Sequence, residues 1–404
     1  MSWPLVKLGD VAKLINGDRG KNYPSKGSFV DKGIPFINAG CLSNEHTLID
    51  AELNFITEEK FDSLRSGKIE KGDILFCLRG SLGKFALVDT NIKGAIASSL
   101  VIIRANEKVC IDYLKHYLGS FLCQREIQAY ENGAAQPNLS ATDLKSFQIP
   151  LPPLEVQKRI AAILDKADAI RQKRKQAIDL ADEFLRSVFL DMFGDPVTNP
   201  KGWEQVPLST LSDKILNGTT PKGGSDVYVE KGIAFLRSQN VWKKRIDLDD
   251  IVYLDDVTHA KMSKSSLKYK DILITKTGRI NTDNSSLGRA AIYYGKDDEA
   301  NINGHVYLVR LKPDNVHEFI EFILTTKEYR DHIRSVCVGG IDKRQLNKNH
   351  IEEFPIICPP SSQQQRFVKV LHQSQKVMDN YKEQLVEAQN NFSALTQKAF
   401  SGQL

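Results

Sequence analysis

Four short segments combine side chains that can recognise the edges of DNA bases with the glycines and small polar residues of exposed turns. Arg, Lys, Asn and Gln form hydrogen bonds with base edges, and cations and backbone amides bind phosphate. The segments are residues 16–23, 79–84, 237–245 and 276–279. Their candidate DNA-contacting residues are Asn16, Arg19, Lys21, Arg79, Lys84, Arg237, Gln239, Asn240, Lys243, Lys244, Lys276 and Arg279. The alternative is that these are ordinary polar turns.

Two glycines and two amides support this interpretation because they recur at matching places. Gly80 and Gly278 each follow an apolar run typical of a strand. Asn138 and Gln345 also occupy corresponding positions in the two halves of the chain, and we include both among the candidate base readers. Either amide could instead cap the next helix.

The familiar catalytic motifs are absent from this sequence. It has no GxxxxGK[ST] phosphate loop, no GxGxxG after a strand, and no GxSxG or HExxH. It also lacks the Asn/Asp-Pro-Pro-aromatic motif of amino-methyltransferases, and its Cys and His residues lack zinc-site spacing. The sequence therefore predicts no catalytic residue, no metal site and no cofactor bound by this chain.

The composition indicates a folded protein with a mild positive charge. The chain has 404 residues, 41% of them hydrophobic and 26% charged, with a net charge of +5. These values exclude a disordered chain, and any polyanion site must come from local clustering of basic residues. The six cysteines lie mostly in apolar runs and are predicted to be reduced thiols. With no signal-like or membrane-spanning run, we expect a cytoplasmic protein.

The chain repeats itself with a period near 200 residues. Lys32-Gly33-Ile34-Pro35-Phe36 matches Lys231-Gly232-Ile233-Ala234-Phe235, and late in each copy the offset stays at 207, as for Pro152-Pro153 and Pro359-Pro360. Short β-rich runs alternate with turns and helical stretches in both copies, which predicts two mixed α/β (α+β) domains with twisted sheets. The middle of each copy matches poorly, so two similar scaffolds would present different surfaces.

A long stretch without Gly or Pro follows each proline pair and has a heptad pattern of apolar residues. Its positions in the second copy are Phe367, Leu371, Ser374, Met378, Tyr381, Leu385, Ala388, Phe392, Leu395 and Ala399. In the first copy they are Ile160, Leu164, Ala167, Arg171, Arg174, Ile178, Ala181, Leu185, Val188 and Met192. A long amphipathic helix must bury its stripe on a partner, so we expect the two helices to form an antiparallel coiled coil. Arg171, Lys173, Arg174 and Lys175 indicate either a solvated stretch or a contact with phosphate or an acidic partner.

The predicted organisation has four parts. Residues 1–153 form a first recognition domain, and residues 154–195 a first spacer helix. Residues 196–360 form a second recognition domain, and residues 361–404 a second spacer helix.

Several ordered motifs resemble the specificity subunits of type I restriction–modification enzymes over essentially the whole chain. They are the starts of the copies at Ser2-Trp3-Pro4 and Pro200-Lys201-Gly202-Trp203, the string Gly-Ala-Ala-Gln-Pro-Asn-Leu at 133–139, LPPLEVQKRI at 151–160, MFGDP at 192–196 and AFSGQL at 399–404. The second copy departs from this pattern in two places. It has Gly340-Ile341-Asp342-Lys343-Arg344-Gln345-Leu346 where the first copy has the Gln-Pro-Asn form, and Ser361-Ser362 in place of Leu154-Glu155.

The resemblance implies that each target-recognition domain recognises one half of a split, asymmetric site in double-stranded DNA. The helices would space the domains and dock two modification subunits, which bind S-adenosylmethionine, and restriction subunits would add cleavage driven by ATP and Mg. The resemblance implies no membrane partner. Two alternatives remain open, a free-standing DNA-binding regulator and a self-contained DNA methyltransferase or nuclease.

Overall fold

The computed structural model describes residues 3–129, 138–280, 282, 284–340 and 342–404, with the side chain of Lys26 excepted. The chain divides into two compact units. Unit 1 consists of Met1–Gln176 and Lys382–Leu404, and unit 2 consists of Ala177–Tyr381.

Unit 1 contains short strands and helices followed by the start of one long helix. Its strands are β1 (Leu5–Lys7), β2 (Ala12–Asn16), β3 (Ile34–Ile37), β4 (Asn54–Ile56), β5 (Ile74–Cys77), β6 (Phe85–Leu87), β7 (Ala95–Ile96), β8 (Leu100–Ala105) and β9 (Gln148–Pro150). Its helices are α1 (Leu8–Val11), α2 (Glu58–Ser63), α3 (Ile111–Leu118), α4 (Phe121–Gln128), α5 (Ala141–Ser146) and the first part of α6 (Leu154–Phe193).

Unit 2 repeats this order with additional short strands. Its strands are β10 (Gln205–Pro207), β11 (Ser212–Asn217), β12 (Tyr228–Val229), β13 (Ile233–Leu236), β14 (Val241–Trp242), β15 (Arg245–Ile246), β16 (Val252–Leu254), β17 (Ile272–Thr275), β18 (Thr277–Gly278), β19 (Ala290–Ile292), β20 (Ala300–Ile302), β21 (Val306–Leu311), β22 (Val338–Gly340), β23 (Lys343–Gln345) and β24 (Pro355–Ile357). Its helices are α7 (Asp256–Lys261), α8 (His317–Thr325), α9 (Lys327–Val336), α10 (Lys348–Glu352) and the first part of α11 (Ser361–Ser401).

The sheets of the two units share one topology. The main sheet of unit 1 has the order β2-β8-β5-β6 and is antiparallel, and that of unit 2 has the corresponding order β11-β21-β17-β19. A second sheet combines one antiparallel and one parallel pairing in each unit, as β4-β3-β7 and as β16-β13-β20 with β12 added at its edge. The predicted duplication of mixed α/β domains is thereby confirmed.

The central strand of each main sheet is buried on both faces. In β5, Ile74 and Phe76 pack towards the helices, whereas Leu75 and Cys77 pack into a second apolar cluster on the opposite face. Alternate residues of a strand point to opposite faces. A continuous apolar run such as ILFC therefore forms a strand here because both faces of its sheet are covered.

A capping hydroxyl separates α3 from α4, and another separates α8 from α9. The Ser120 hydroxyl accepts from the Cys123 amide between α3 and α4, and the Thr326 hydroxyl accepts from the Tyr329 amide between α8 and α9. A capping Ser or Thr has an extended backbone, which ends one helix and starts the next.

The long helices α6 and α11 contribute a segment to each unit, and within each unit the two segments run antiparallel. In unit 1, Ile160 and Leu164 share a core with Ala399 and Phe400, while Arg171, further along α6, lies over the Phe392 ring. In unit 2, Phe189 and Phe193 pack on Phe367 at the start of α11.

Candidate nucleic-acid interface

In unit 1 the structure brings together two predicted DNA-contacting residues that are 59 positions apart in the chain. Arg79 follows β5, and an isolated β-bridge pairs it with Asn138. The Arg79 Nε donates to the Asn138 Oδ1 at 2.9 Å, and both residues are exposed. No other described residue forms a hydrogen bond with these two side chains, so the remaining guanidinium N–H groups can donate to base edges and the Asn138 amide can donate to or accept from them.

The same place in unit 2 has the same backbone pairing with different side chains. Thr277 pairs with Gln345, and the Leu346 amide donates to the Lys276 carbonyl, as the Leu139 amide does to Leu78 in unit 1. Arg279 is exposed, whereas Gln345 and Lys276 are half-buried. We call this paired region the tip of each unit: Arg79 and Asn138 in unit 1, and Thr277, Gly278, Arg344 and Gln345 in unit 2. The two tips share one pattern of backbone pairing, which we call the backbone frame, and differ in their side chains.

Arg344 is a further basic residue at this tip and was missed by the sequence analysis. It lies opposite Gly278 on β23, its Nη1 donates to the Cys337 carbonyl at 3.4 Å, and its buried Nε has no hydrogen-bond partner among the described residues. The signal that could have found it was its position next to Gln345.

Residues 16–23 form an ordered turn around Asp18. The Asp18 carboxylate accepts from the amides of Arg65 at 2.8 Å and Gly20 at 2.7 Å, and these hydrogen bonds lower its pKa. Arg19 donates to the Ser98 carbonyl at 3.3 Å, and Asn16, Arg19 and Lys21 are exposed. The turn thus presents the predicted side chains on a fixed backbone.

The structure corrects the prediction for Asn240. Its side chain is 1% exposed and holds a turn together, because it accepts from the Arg237 amide and donates to the carbonyls of Asp247 and Asp250. A buried amide with these partners has no free edge for a base, so the prediction that Asn240 contacts DNA is wrong.

Lys244 is a second correction. It lies at the tip of the β14–β15 hairpin with a φ of 60°, and its ammonium lies 4.1 Å from the centre of the Phe322 ring. Burial lowers its pKa to about 8. The side chain therefore points into the protein, whereas its neighbour Lys243 is exposed.

Arg237 and Gln239 share one acidic partner. The Arg237 guanidinium lies 3.0 Å from the Asp250 carboxylate, and the Gln239 amide contacts the same carboxylate. Any DNA contact by these two residues would compete with Asp250.

Lys84 has a counterpart that the sequence analysis also missed. Its carbonyl accepts from the Cys77 amide at 2.8 Å, and in unit 2 the Arg289 carbonyl accepts from Thr275 at 2.9 Å. Arg289 therefore occupies the position of Lys84, and poor matching between the middles of the two copies concealed this correspondence.

Every residue of the predicted heptad pattern is buried or half-buried. The fully or nearly fully buried members are Ile160, Leu164, Leu185, Phe367, Leu371, Met378 and Ala399. Ala167, Arg171, Arg174, Leu385 and Phe392 are half-buried. The line of contact between the heptad positions of α6 and α11 is called the seam below. The Arg171 guanidinium packs 5.2 Å from the Phe392 ring centre and donates a hydrogen bond to Asp168, so the aliphatic part of Arg171 extends the seam.

Among the residues that the structure describes, no group of three or more His, Cys, Asp or Glu side chains could hold a metal ion. The six cysteines, all within those residues, are free thiols. No described helix is both long and apolar enough to cross a membrane.

Known proteins agree with this architecture. The family model for the type I restriction modification DNA specificity domain matches residues 2–180 and again residues 200–389. The chain is 22% identical to the type I restriction enzyme StySPI specificity subunit of Salmonella potsdam, and 21% identical to the EcoKI specificity subunit of Escherichia coli (strain K12). In both cases the match covers 100% of this chain and 89% of the relative.

Solved structures show the same fold. The crystal structure of a type I restriction-modification system S subunit from M. genitalium matches with a TM-score of 0.57 at 16% identity, covering 99% of this chain and 96% of that one. A chain from a structural study of complex assembly and conformational transition in the type I R-M system matches with a TM-score of 0.56 at 18% identity, covering 100% and 98%. With two matches to the family model that together span most of its length, this chain belongs to the type I restriction–modification DNA specificity family.

Proposed function

We propose that this chain is the DNA-recognition subunit of a type I restriction–modification complex and that it has no catalytic group of its own. Each unit recognises one half of a bipartite, asymmetric site in double-stranded DNA. The residues that contact bases lie at the tip after β5 in unit 1 and after β17 in unit 2.

One observation carries this proposal. Equivalent backbone frames present Arg79 and Asn138 in unit 1 but Thr277 and Gln345 in unit 2. Different donors and acceptors in one frame recognise different bases, because each base pair displays its own pattern in the major groove. A duplicated frame with unlike side chains therefore supports recognition of two unlike half-sites.

The partner subunits follow from the family and from the two long helices. We propose that α6 and α11 set the separation between half-sites and that two modification subunits dock on them. Those subunits would bind S-adenosylmethionine and methylate DNA, and restriction subunits would supply cleavage with ATP and Mg. This chain itself would bind none of these cofactors.

The test is reconstitution. The chain is co-expressed with the methyltransferase subunit of its own host, the complex is purified through a tag on this chain, and methylated sites are mapped by modification-aware sequencing. We expect stoichiometric co-purification and a methylated motif with two different half-sequences separated by a fixed gap.

Two results would contradict the proposal. Saturable binding of S-adenosylmethionine by the pure chain would indicate a self-contained methyltransferase. A chain that binds a specific site tightly but retains no methyltransferase subunit would indicate a free-standing regulator.

A further inference from the structure

Three arginines and one tryptophan form a compact cationic surface on unit 2. The Arg289 guanidinium carbon lies 3.8 Å from the centre of the Trp242 ring, and that of Arg245 lies 5.4 Å from the same centre. Arg330, on α9, donates to the Leu287 carbonyl at 3.1 Å, two residues before Arg289. Stacking on an aromatic face fixes a guanidinium without using its N–H donors.

These guanidiniums retain donors for a further ligand. Among the residues that the structure describes, Arg289 uses its Nε for the Ser285 carbonyl and one Nη2 donor for the Asn284 carbonyl, and its other three N–H groups have no partner there. Arg330 uses one donor in the same way. The side chains of Arg289 and Arg245 therefore present a fork of N–H groups suited to phosphate oxygens.

The described residues place few carboxylates beside the positive charges of this surface. Within the part of the chain that the structure describes, neither Arg289 nor Arg330 has a carboxylate at ion-pair distance, and Arg245 lies 3.6 Å from Asp247. Burial, together with the charges of Arg330 and Arg245, lowers the pKa of Arg289. Like charges placed together without acidic partners are typical of anion sites.

The surface adjoins the proposed base-reading tip of unit 2. Arg289 ends the loop that Lys276 begins, because the Arg289 amide donates to the Thr275 hydroxyl at 2.8 Å and the Thr275 amide donates to the Arg289 carbonyl. A DNA duplex that reaches Lys276 and Arg279 therefore passes close to this surface.

Unit 1 does not repeat the cluster. Val241 and Leu42 start equivalent hairpins, so Ser43 stands where unit 2 has Trp242, and Thr47 where it has Arg245. Ile127 lies beside Gly83, and Ile333 lies beside the equivalent Gly288. Gln124 and Arg330 each come three residues before that isoleucine, so Gln124 occupies the position of Arg330. Lys84 is the one basic residue that unit 1 retains among these positions.

We infer that Trp242, Arg245, Arg289 and Arg330 form a site for the DNA phosphodiester backbone, next to the bases that unit 2 recognises and without a full counterpart in unit 1. This inference rests on the proposed function. Phosphate contacts position a protein on DNA and weaken with salt, whereas base contacts determine the sequence.

The experiment compares DNA binding by the reconstituted complex carrying Arg245→Gln, Arg289→Gln or Arg330→Gln. The matched control is Lys296→Gln, which removes one positive charge from an exposed residue of unit 2 that pairs with Glu299. Kd is measured by titration for the cognate duplex and for a scrambled duplex between 0.1 M and 1 M salt, and the methylated motif is sequenced.

Each lost phosphate contact lowers the slope of log K against log salt by about 0.9. We therefore expect each cluster variant to bind both duplexes on the order of eightfold more weakly at 0.1 M salt, with the deficit vanishing near 1 M. The methylated motif and the control variant should match wild type. Because Arg289 and Arg330 also bond backbone carbonyls, Arg245→Gln, whose side chain is 64% exposed, decides the outcome if the other variants fail to fold.

Three results would overturn the inference. Unchanged Kd and slope in Arg245→Gln would show that no phosphate binds there. Weaker binding to the cognate duplex alone would indicate a base contact. A variant that assembles less well with its partner subunits, but binds DNA normally once assembled, would indicate that the site binds an acidic protein surface. Failure of the wild-type complex to bind any DNA would refute the proposed function instead.

Discussion

Arg104 and Arg310 lie at equivalent positions on the main sheets, and each binds a buried aspartate. Arg104 Nε and Nη2 donate to the two carboxylate oxygens of Asp73 at 2.8 Å each, and Arg310 forms the same fork with Asp271 at 2.8 and 2.7 Å. Both aspartates are 1% exposed. These arginines stabilise the scaffold, whereas Arg79 and Arg279, which we propose contact DNA, are exposed.

Replacing Asp271 with Asn tests this structural role. The change removes the charge that balances the Arg310 guanidinium and disturbs the acceptor of the Lys268 amide. Breaking a buried pair by removing one partner is strongly destabilising, so we expect the free energy of unfolding of unit 2 to fall by about 3 kcal/mol. Denaturant unfolding measures it, with the exposed Asp249→Asn as a control that should change it by less than about 0.5 kcal/mol. Equal effects of both variants would contradict the assignment.

Glu321 makes the free energy of unfolding of unit 2 depend on pH. Its carboxylate is buried and accepts from the Ile292 amide, and burial raises its pKa from 4.5 to about 7. Below pH 4.5 the carboxyl is neutral in both folded and unfolded chains. As the pH rises from 4.5 to 7, the Glu321 carboxyl ionises in the unfolded chain but stays largely protonated in the folded chain. The free energy of unfolding therefore declines over this range.

Glu321→Gln should remove that decline, because the amide keeps an acceptor for Ile292 and has no charge. We expect the variant to gain about 1–2 kcal/mol over wild type at pH 8 compared with pH 5. Unfolding curves at both pH values measure the difference. A stability difference that is the same at the two pH values would show that the carboxyl does not titrate in this range.

Local sequence patterns specify the long helices, and the packing of their apolar stripe stabilises them. In unit 2 the stripe ends in an aromatic cluster of Phe189, Phe193, Phe319 and Phe367. In unit 1 small side chains such as Ala167 leave a groove between the two helix segments, lined also by Arg174 and Leu395. The same heptad pattern thus packs an aromatic cluster at one end of the helix pair in unit 2 and leaves a groove along part of the helix pair in unit 1.

Two leucines of α6 distinguish how much packing in the seam and helix formation itself each contribute to the free energy of unfolding. Leu164 is fully buried in the seam and Leu180 is 63% exposed outside it. Leu164→Ala should lower the free energy of unfolding by about 3 kcal/mol, because it removes apolar contacts and leaves a cavity. Leu180→Ala should change it by less than about 0.5 kcal/mol. Calorimetric or denaturant unfolding of the two variants compares them, and comparable losses would contradict the burial of the stripe.

At the scale of the whole molecule, duplication gives two recognition units with one sheet topology and different tips. The pairing of Arg79 with Asn138 corresponds to that of Thr277 with Gln345, and the cationic surface around Trp242 belongs to unit 2. Each unit has its own apolar cores, so a substitution at one tip leaves the other tip intact.

Independent units predict independent half-sites. Arg79→Ala should relax or weaken recognition of one half-sequence by about 1–3 kcal/mol, and Arg279→Ala should affect the other half alone. Methylation by the reconstituted complex on a library randomised at each half-site measures both effects. A uniform loss of affinity for all DNA would instead indicate a phosphate contact at the mutated arginine.

Sequence alone was sufficient for the features that short-range patterns specify. The offset of 207 revealed the duplication, the apolar runs predicted the central strands, and the heptads predicted α6 and α11. The strand and helix signals are local, because the periodicity of a strand or helix can be recognised within ten or twenty residues, and the duplication followed from comparing the two copies.

Only the tertiary structure decided which polar side chains face solvent. It joined Arg79 to Asn138 across 59 residues, buried Asn240 in a turn, directed Lys244 onto Phe322 and placed Arg289 on Trp242. The exposure of a polar residue depends on which distant segments pack against it. The sequence near that residue does not specify those contacts. The scaffold could therefore be predicted from periodicity, whereas the set of polar side chains on the exposed surface followed from long-range packing.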